Sequence, residues 1–165
     1  IYTHPAPIAC AVHGQVTGGS LGLLLAADHV VVQPGVSITP WYSEVGFSPD
    51  GGWTALLPDI VGRQRSSHWL STNASVDAED CVRIGVAHEL ATDGALDAAL
   101  RWSHAVAGLS AASIRATRAL LGQSVAELGQ RLEAERSAFV HHIQTPEAIA
   151  GIARFLGKKH CEEAL

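Results

Sequence analysis

The pattern that most restricts this chain lies near its start. Residues 8–12 (IACAV) and 30–32 (VVV) are short apolar runs, partly β-branched, and residues 21–27 (LGLLLAA) stand between them. The outer runs have the length of strands and the middle one suits a buried helix, so together they form a β-α-β pattern. Residues 36–39 offer one more strand before Pro40, and after Gly52 the strand signals stop. From Thr54 onward the chain reads as helices: one ending at Val61-Gly62, one around residues 65–70, then residues 77–84, 95–107, 111–121 and 125–143. Asp77 is placed to cap its helix, with Asp80 three residues on and Gly85 just past the end. In the segment 125–143, Val125, Leu128, Leu132, Phe139 and Ile143 keep helical spacing, while Glu127, Arg131, Glu133 and Glu135 supply a polar side. Thr145-Pro146 restarts a helix, threonine as cap and proline in the first turn. The expected class is α/β, strands first and a helical tail after.

With 165 residues, 47% of them hydrophobic and 16% charged, the chain can bury a sizeable core or form part of a larger one. That composition excludes disorder. A net charge of -5, with 11 basic residues scattered in ones and twos, leaves no stripe to neutralise a nucleic-acid backbone. The apolar run at 21–27 is far shorter than the roughly 20 residues of a membrane span, and no signal pattern opens the chain. A cytoplasmic protein without nucleic-acid or membrane partners is expected. Cys10, Cys81 and Cys161 are odd in number and outside metal-binding spacing, so they read as ordinary thiols. The nine histidines show no zinc-type spacing, and no metal site is expected. Methionine is absent even at position 1, which points to a trimmed or incomplete piece.

Two glycine-bearing stretches carry the candidate chemistry. Gly18 and Gly19 open the apolar helix, where first-turn N–H groups lack intrahelical partners and can face an oxygen gaining negative charge. The pair would equally serve close packing of helix and strand. Gly18-Gly19-Ser20-Leu21-Gly22 also matches Gly-x-Ser-x-Gly, so a serine hydrolase acting through Ser20 is a competing reading. Against it, five residues separate Val12 from Gly18, and the β-α alternation that would deliver an acid and a histidine does not continue. The second stretch is EVGFSPDGGW, in which Pro49-Asp50-Gly51-Gly52 is good turn chemistry and Asp50 reads either as a local cap or as a working carboxylate.

PAPIACAVHGQVTGGSLGLLLAADHVVV, EVGFSPDGGWTALLPDIVGRQR and STNASVDAEDCVRIGV, followed by TPEAIAGIARFLGKK, resemble in order and spacing the crotonase family, the enoyl-CoA hydratases and isomerases. The resemblance implies a ClpP/crotonase-like β-β-α superhelix with a helical, trimerising C-terminal region. Residues 1–92 would be the later part of the β-β-α core and 93–165 the helical region. This chain would be the second half of the fold. The early strands, which carry one of two oxyanion-hole amides and much of the CoA pocket, would be missing.

By the same resemblance, the Gly19 amide completes the oxyanion hole and Asp50 takes the place of the working aspartate of isomerase-type members and aryl-CoA dehalogenases. The two glutamates of hydratases fall on Gly22 and Tyr42, and both are absent. One base can take a proton from carbon and return it elsewhere, whereas addition of water asks for two groups. Isomerisation of an unsaturated acyl-CoA is therefore expected, with hydration, dehalogenation or hydrolysis through Asp50, or a non-catalytic subunit, as alternatives. No cofactor is expected beyond the CoA that the substrate carries. Gly18, Trp41, Tyr42 and Trp53 are candidates to line the acyl site, though aromatics pack cores as readily. Lys158 and Lys159 are candidates for the CoA phosphates, or a solvated helix end. Glu44 could supply a second acid, but in an extended segment around Val45 it points to the same face as Tyr42, and it reads otherwise as a solvated loop charge. A homotrimer or dimer of trimers is implied, with Ile149, Ile152, Phe155 and Leu156 at the subunit contact.

Overall fold

The computed structural model describes residues 1–122 and 124–162, with side chains up to residue 157. Strand β1 (Ala9–Val12) turns into β2 (Gln15–Thr17), a 3-10 turn (Gly18–Ser20) and helix α1 (Leu21–Leu25). The chain then repeats the step with β3 (His29–Val32) and β4 (Ser37–Thr39). β3 lies parallel to β1, Cys10 opposite Val30, and β4 lies parallel to β2, Val16 opposite Ile38. Each strand pair thus places one strand in each of two sheets. The corners between them fall at Gly14 (φ 68°) and Gly35 (φ 86°), a left-handed conformation that glycine enters without a Cβ penalty.

Helices α2 (Tyr42–Val45), α3 (Leu57–Val61) and α4 (Arg63–Thr72) follow, and then a third step in reverse order: β5 (Val76–Asp77), α5 (Ala78–Arg83) and β6 (Glu89–Leu90). β5 joins β4 antiparallel and β6 joins β3 parallel, completing sheets of order β1-β3-β6 and β2-β4-β5. The strand signals therefore do not end at Gly52. β5 and β6 are two residues each, too short for a period to show. The segment around Val45 is not extended either: α2 begins after Trp41 at φ 63° and ends at Gly46.

The VVV run owes its unbroken apolarity to burial on both faces. Val30 and Val32 enter a core with Leu21, Ile38, Trp53 and Leu57, while Val31 points the other way into Ala91, Ala95, Ala98 and Ala99. Three of those alanines belong to α6 (Ala95–Ala107), whose small side chains let it lie close on β1 and β3. Helices α7 (Ala111–Leu121), α8 (Val125–His142) and α9 (Pro146–Glu162) complete the chain. The caps sit as expected: Asp77 accepts from the Asp80 N–H at 2.8 Å, and Thr145 Oγ1 from the Ala148 N–H at 3.2 Å. Among the described residues no helix is long and apolar enough to cross a membrane.

Candidate active site

Two backbone segments meet where the chemistry was expected. A Cβ built on Gly51 would fall 2.3 Å from the Gly19 Cα, and one built on Gly22 would fall 1.7 Å from the Gly51 carbonyl oxygen. Real Cβ atoms do not come so close, so the Asp50 turn and the 3-10 turn touch only because both carry glycine. The contact sets the Asp50 carboxylate over Gly19, its oxygens 3.5 and 3.6 Å from where a Gly19 Cβ would be. The same contact explains why no acid stands at Gly22. The space its side chain would need is filled by the Asp50 turn itself.

Tyr42, at the second position lacking a glutamate, is buried, and its hydroxyl donates to Asp50 Oδ1 at 2.5 Å and lies 3.1 Å from the Asp50 carbonyl oxygen. Burial first, and then the Asp50 carboxylate it bonds, raise this phenol well above its ordinary range. It therefore stays a proton donor to the carboxylate at any physiological pH. Trp53 is fully buried and lies edge-on to Tyr42, with its indole N–H donating to the Gly18 carbonyl at 2.8 Å. Trp53, expected from its place beside Asp50 to line an acyl site, instead supports the glycine turn from beneath.

A cleft of about 920 Å³ opens over Gly18, Gly19 and Asp50 and is walled by Trp41, Tyr42, Phe139 and Phe155. Trp41 stays at φ 63°, a strained conformation for a bulky residue, with its ring edge-to-face on Phe155 at 5.3 Å. Ile152, Phe155 and Leu156 of α9 line this cleft of their own chain, although the sequence places them at a subunit contact; Ile149 is 61% exposed. Glu44 borders the cleft from α2 but is exposed, whereas Tyr42 on the same helix is buried. The side chains of Lys158 and Lys159 lie outside the described residues.

The serine-hydrolase objection based on spacing does not hold, because β2 ends at Thr17, directly before Gly18. What stands against a nucleophilic serine is the engagement of its hydroxyl. Ser20 Oγ donates to the Thr17 carbonyl at 2.5 Å and accepts from the Thr17 N–H at 3.2 Å, closing the turn on itself.

Glu135 is the residue the sequence misplaces. Instead of a polar helix face, it is only 5% exposed and reaches the Asp50 turn. Its Oε2 accepts from the Gly52 N–H at 2.7 Å, and its Oε1 from Thr54 N–H (2.6 Å), Thr54 Oγ1 (2.6 Å) and Ala55 N–H (2.8 Å). The available signal was its register, since Leu128, Leu132, Glu135 and Phe139 form one stripe at helical spacing.

A chain of stacked strand pairs with a carboxylate set over a glycine-rich turn defines the class, and comparison with known proteins gives the family. The profile of the enoyl-CoA hydratase/isomerase family matches residues 1–162, and the chain belongs to that family. Cyclohexa-1,5-dienecarbonyl-CoA hydratase of Thauera aromatica is 32% identical over 159 residues, 94% of this chain and 60% of the relative. 4-Chlorobenzoyl coenzyme A dehalogenase-1 of an Arthrobacter species is 32% identical over 84 residues, 51% of this chain and 30% of the relative. The enoyl-CoA hydratase of Bacillus halodurans superposes with a TM-score of 0.85 at 25% identity, covering 93% of this chain and 62% of that one. The chain therefore spans about three-fifths of the length of the Thauera hydratase and of the Bacillus hydratase.

Proposed function

We propose that this chain isomerises the double bond of an unsaturated acyl-CoA thioester, with Asp50 moving the proton. The observation that carries the proposal is the Asp50 carboxylate set over the Gly19 turn and held by the Tyr42 hydroxyl; by resemblance, Gly22 and Tyr42 stand where hydratases of the family carry acids. In a 3-enoyl thioester, Asp50 takes a proton from C2 and the electron pair passes into a dienolate. Its thioester oxygen becomes negative beside the Gly19 N–H. Asp50, now protonated, returns the proton at C4, leaving the 2-enoyl thioester; atoms and charge balance without a second acid. Tyr42 holds Oδ1, which orients the carboxylate for both transfers.

Gly18, Trp41 and Tyr42 would border the acyl group, Lys158 and Lys159 the CoA phosphates, and the remainder of the protein would supply the second oxyanion amide. A homotrimer or dimer of trimers belongs to the same proposal, supported by exposed Leu109, Leu120 and Leu121. No cofactor is called for beyond the CoA of the substrate. A second reading, displacement on an aryl thioester with Asp50 as nucleophile, is favoured by the aromatic walls of the cleft and by the similarity to a 4-chlorobenzoyl dehalogenase.

The test is a set of three variants. Asp50→Asn, nearly isosteric but unable to take the proton, should abolish turnover while folding and thioester binding persist. Gly19→Val should lower turnover about 100-fold or more, the scale of losing one oxyanion donor, and Ser20→Ala should stay active. An inactive Ser20→Ala beside an active Gly19→Val would move the reaction to the serine. Near-normal turnover by Asp50→Asn would overturn the proposal, and thioester binding without turnover in the unaltered protein would mark a non-catalytic subunit.

A further inference from the structure

We propose that Glu135 is a positioning residue for the reaction, holding the Asp50 turn at a set height over Gly19 from α8, a helix 80 residues away in sequence. This rests on the reading of Asp50 as the acid–base group. Gly51 and Gly52, at φ 66° and 100°, give the turn no side chain with which to pack itself in place. Its N–H groups at Gly52, Thr54 and Ala55 instead converge on one buried carboxylate, which with the Thr54 hydroxyl receives four donors. A carboxylate has about four acceptor sites, and four donors reach this one, three at Oε1 and one at Oε2. Arg131, one turn earlier on α8, donates to the Thr54 carbonyl at 3.1 Å and pairs with Asp59 at 3.4 Å. α8 thus grips both the donors and an acceptor of the segment after Asp50. Glu135 is not among the residues lining the cleft; it reaches the carboxylate two residues away through the Gly52 amide and the turn, and its charge is also felt at the Tyr42 hydroxyl.

The test is Glu135→Gln in the full chain. The amide preserves volume and one acceptor oxygen but sets an NH2 group against donors that the carboxylate now receives. Hydrogen–deuterium exchange at residues 52–55 should quicken about tenfold or more, while the rest of α8 keeps its protection. Turnover of a 3-enoyl thioester should fall about 10- to 100-fold at nearly unchanged KM, the scale set by a displaced catalytic group. Glu133→Gln, on the exposed face of the same helix, should change neither. If Glu135→Gln does not fold, Glu135→Asp, shorter by one methylene, should show the same exchange and the same kcat-only loss.

Unchanged exchange at residues 52–55 would overturn the proposal, as would a loosened turn with full kcat in a protein whose Asp50→Asn variant is inactive. A fully active Asp50→Asn would instead sink the acid–base reading and the catalytic part of this proposal with it. The exchange rates would still report whether Glu135 holds the turn.

Discussion

At Gly22 the lack of one methyl group lets two backbones meet, and the reading of the site depends on it. Helix propensity alone favours alanine there by about 1 kcal/mol. A Cβ 1.7 Å from the Gly51 oxygen outweighs this, because so close an overlap with backbone falls at the upper end, about 3 kcal/mol, of what overpacking costs. Gly22→Ala should therefore lower the melting temperature by about 4–8 °C, taking a net 2 kcal/mol and about 2–4 °C per kcal/mol in a chain this size. A scanning calorimetry trace at or above the unaltered protein's would show that α1 and the Asp50 turn are not in contact. Asp50 and the Gly18-Gly19 pair were legible in the sequence because a turn needs particular residues within a few positions. Glu135 was not, since a carboxylate bonding a turn about 80 residues away leaves only the interrupted apolar stripe as a trace. Trp53 was placed beside Asp50 by sequence proximity, but its side chain turns beneath the glycines instead of into the cleft.

Among the elements, those whose pattern repeats several times were readable; of the strands of two or three residues, β4 was readable before Pro40 and β2, β5 and β6 were not. α6, α7 and α8 appear where periodicity and caps set them, whereas β2, β5 and β6 are held by pairing to strands far along the chain. α9 was legible as a helix, but not its seat. It packs on α2 of its own chain, close enough that a Cβ on Gly151 would lie 2.2 Å from the Val45 carbonyl oxygen. That seat brings Ile152 and Phe155 to the cleft. Gly151→Val should push α9 off α2 and weaken binding of an acyl-CoA thioester about tenfold, the equivalent of about 1.4 kcal/mol of apolar wall. Calorimetric titration returning the unaltered affinity would place the acyl group away from α9.

For the molecule as a whole, two sheets stacked by repeated strand pairs bring residues from three separate stretches, Gly18-Gly19, Trp41-Tyr42 and Asp50, to one cleft. The order of the pairs was legible through the β-α-β pattern; the division into two sheets was not, since β2 is only three residues long. Whether the cleft isomerises a thioester, as proposed, turns on whether one carboxylate or two groups act in it. The deciding measurement is the mass and absorbance of the product formed from a 3-enoyl-CoA thioester, run beside 2-enoyl and 4-chlorobenzoyl thioesters. A 2-enoyl product of unchanged mass, absent with Asp50→Asn and accompanied by no addition of water to the 2-enoyl thioester and no chloride release from the aryl thioester, is the predicted result. A product heavier by one water, or release of chloride from the aryl thioester with the 3-enoyl substrate untouched, would contradict it.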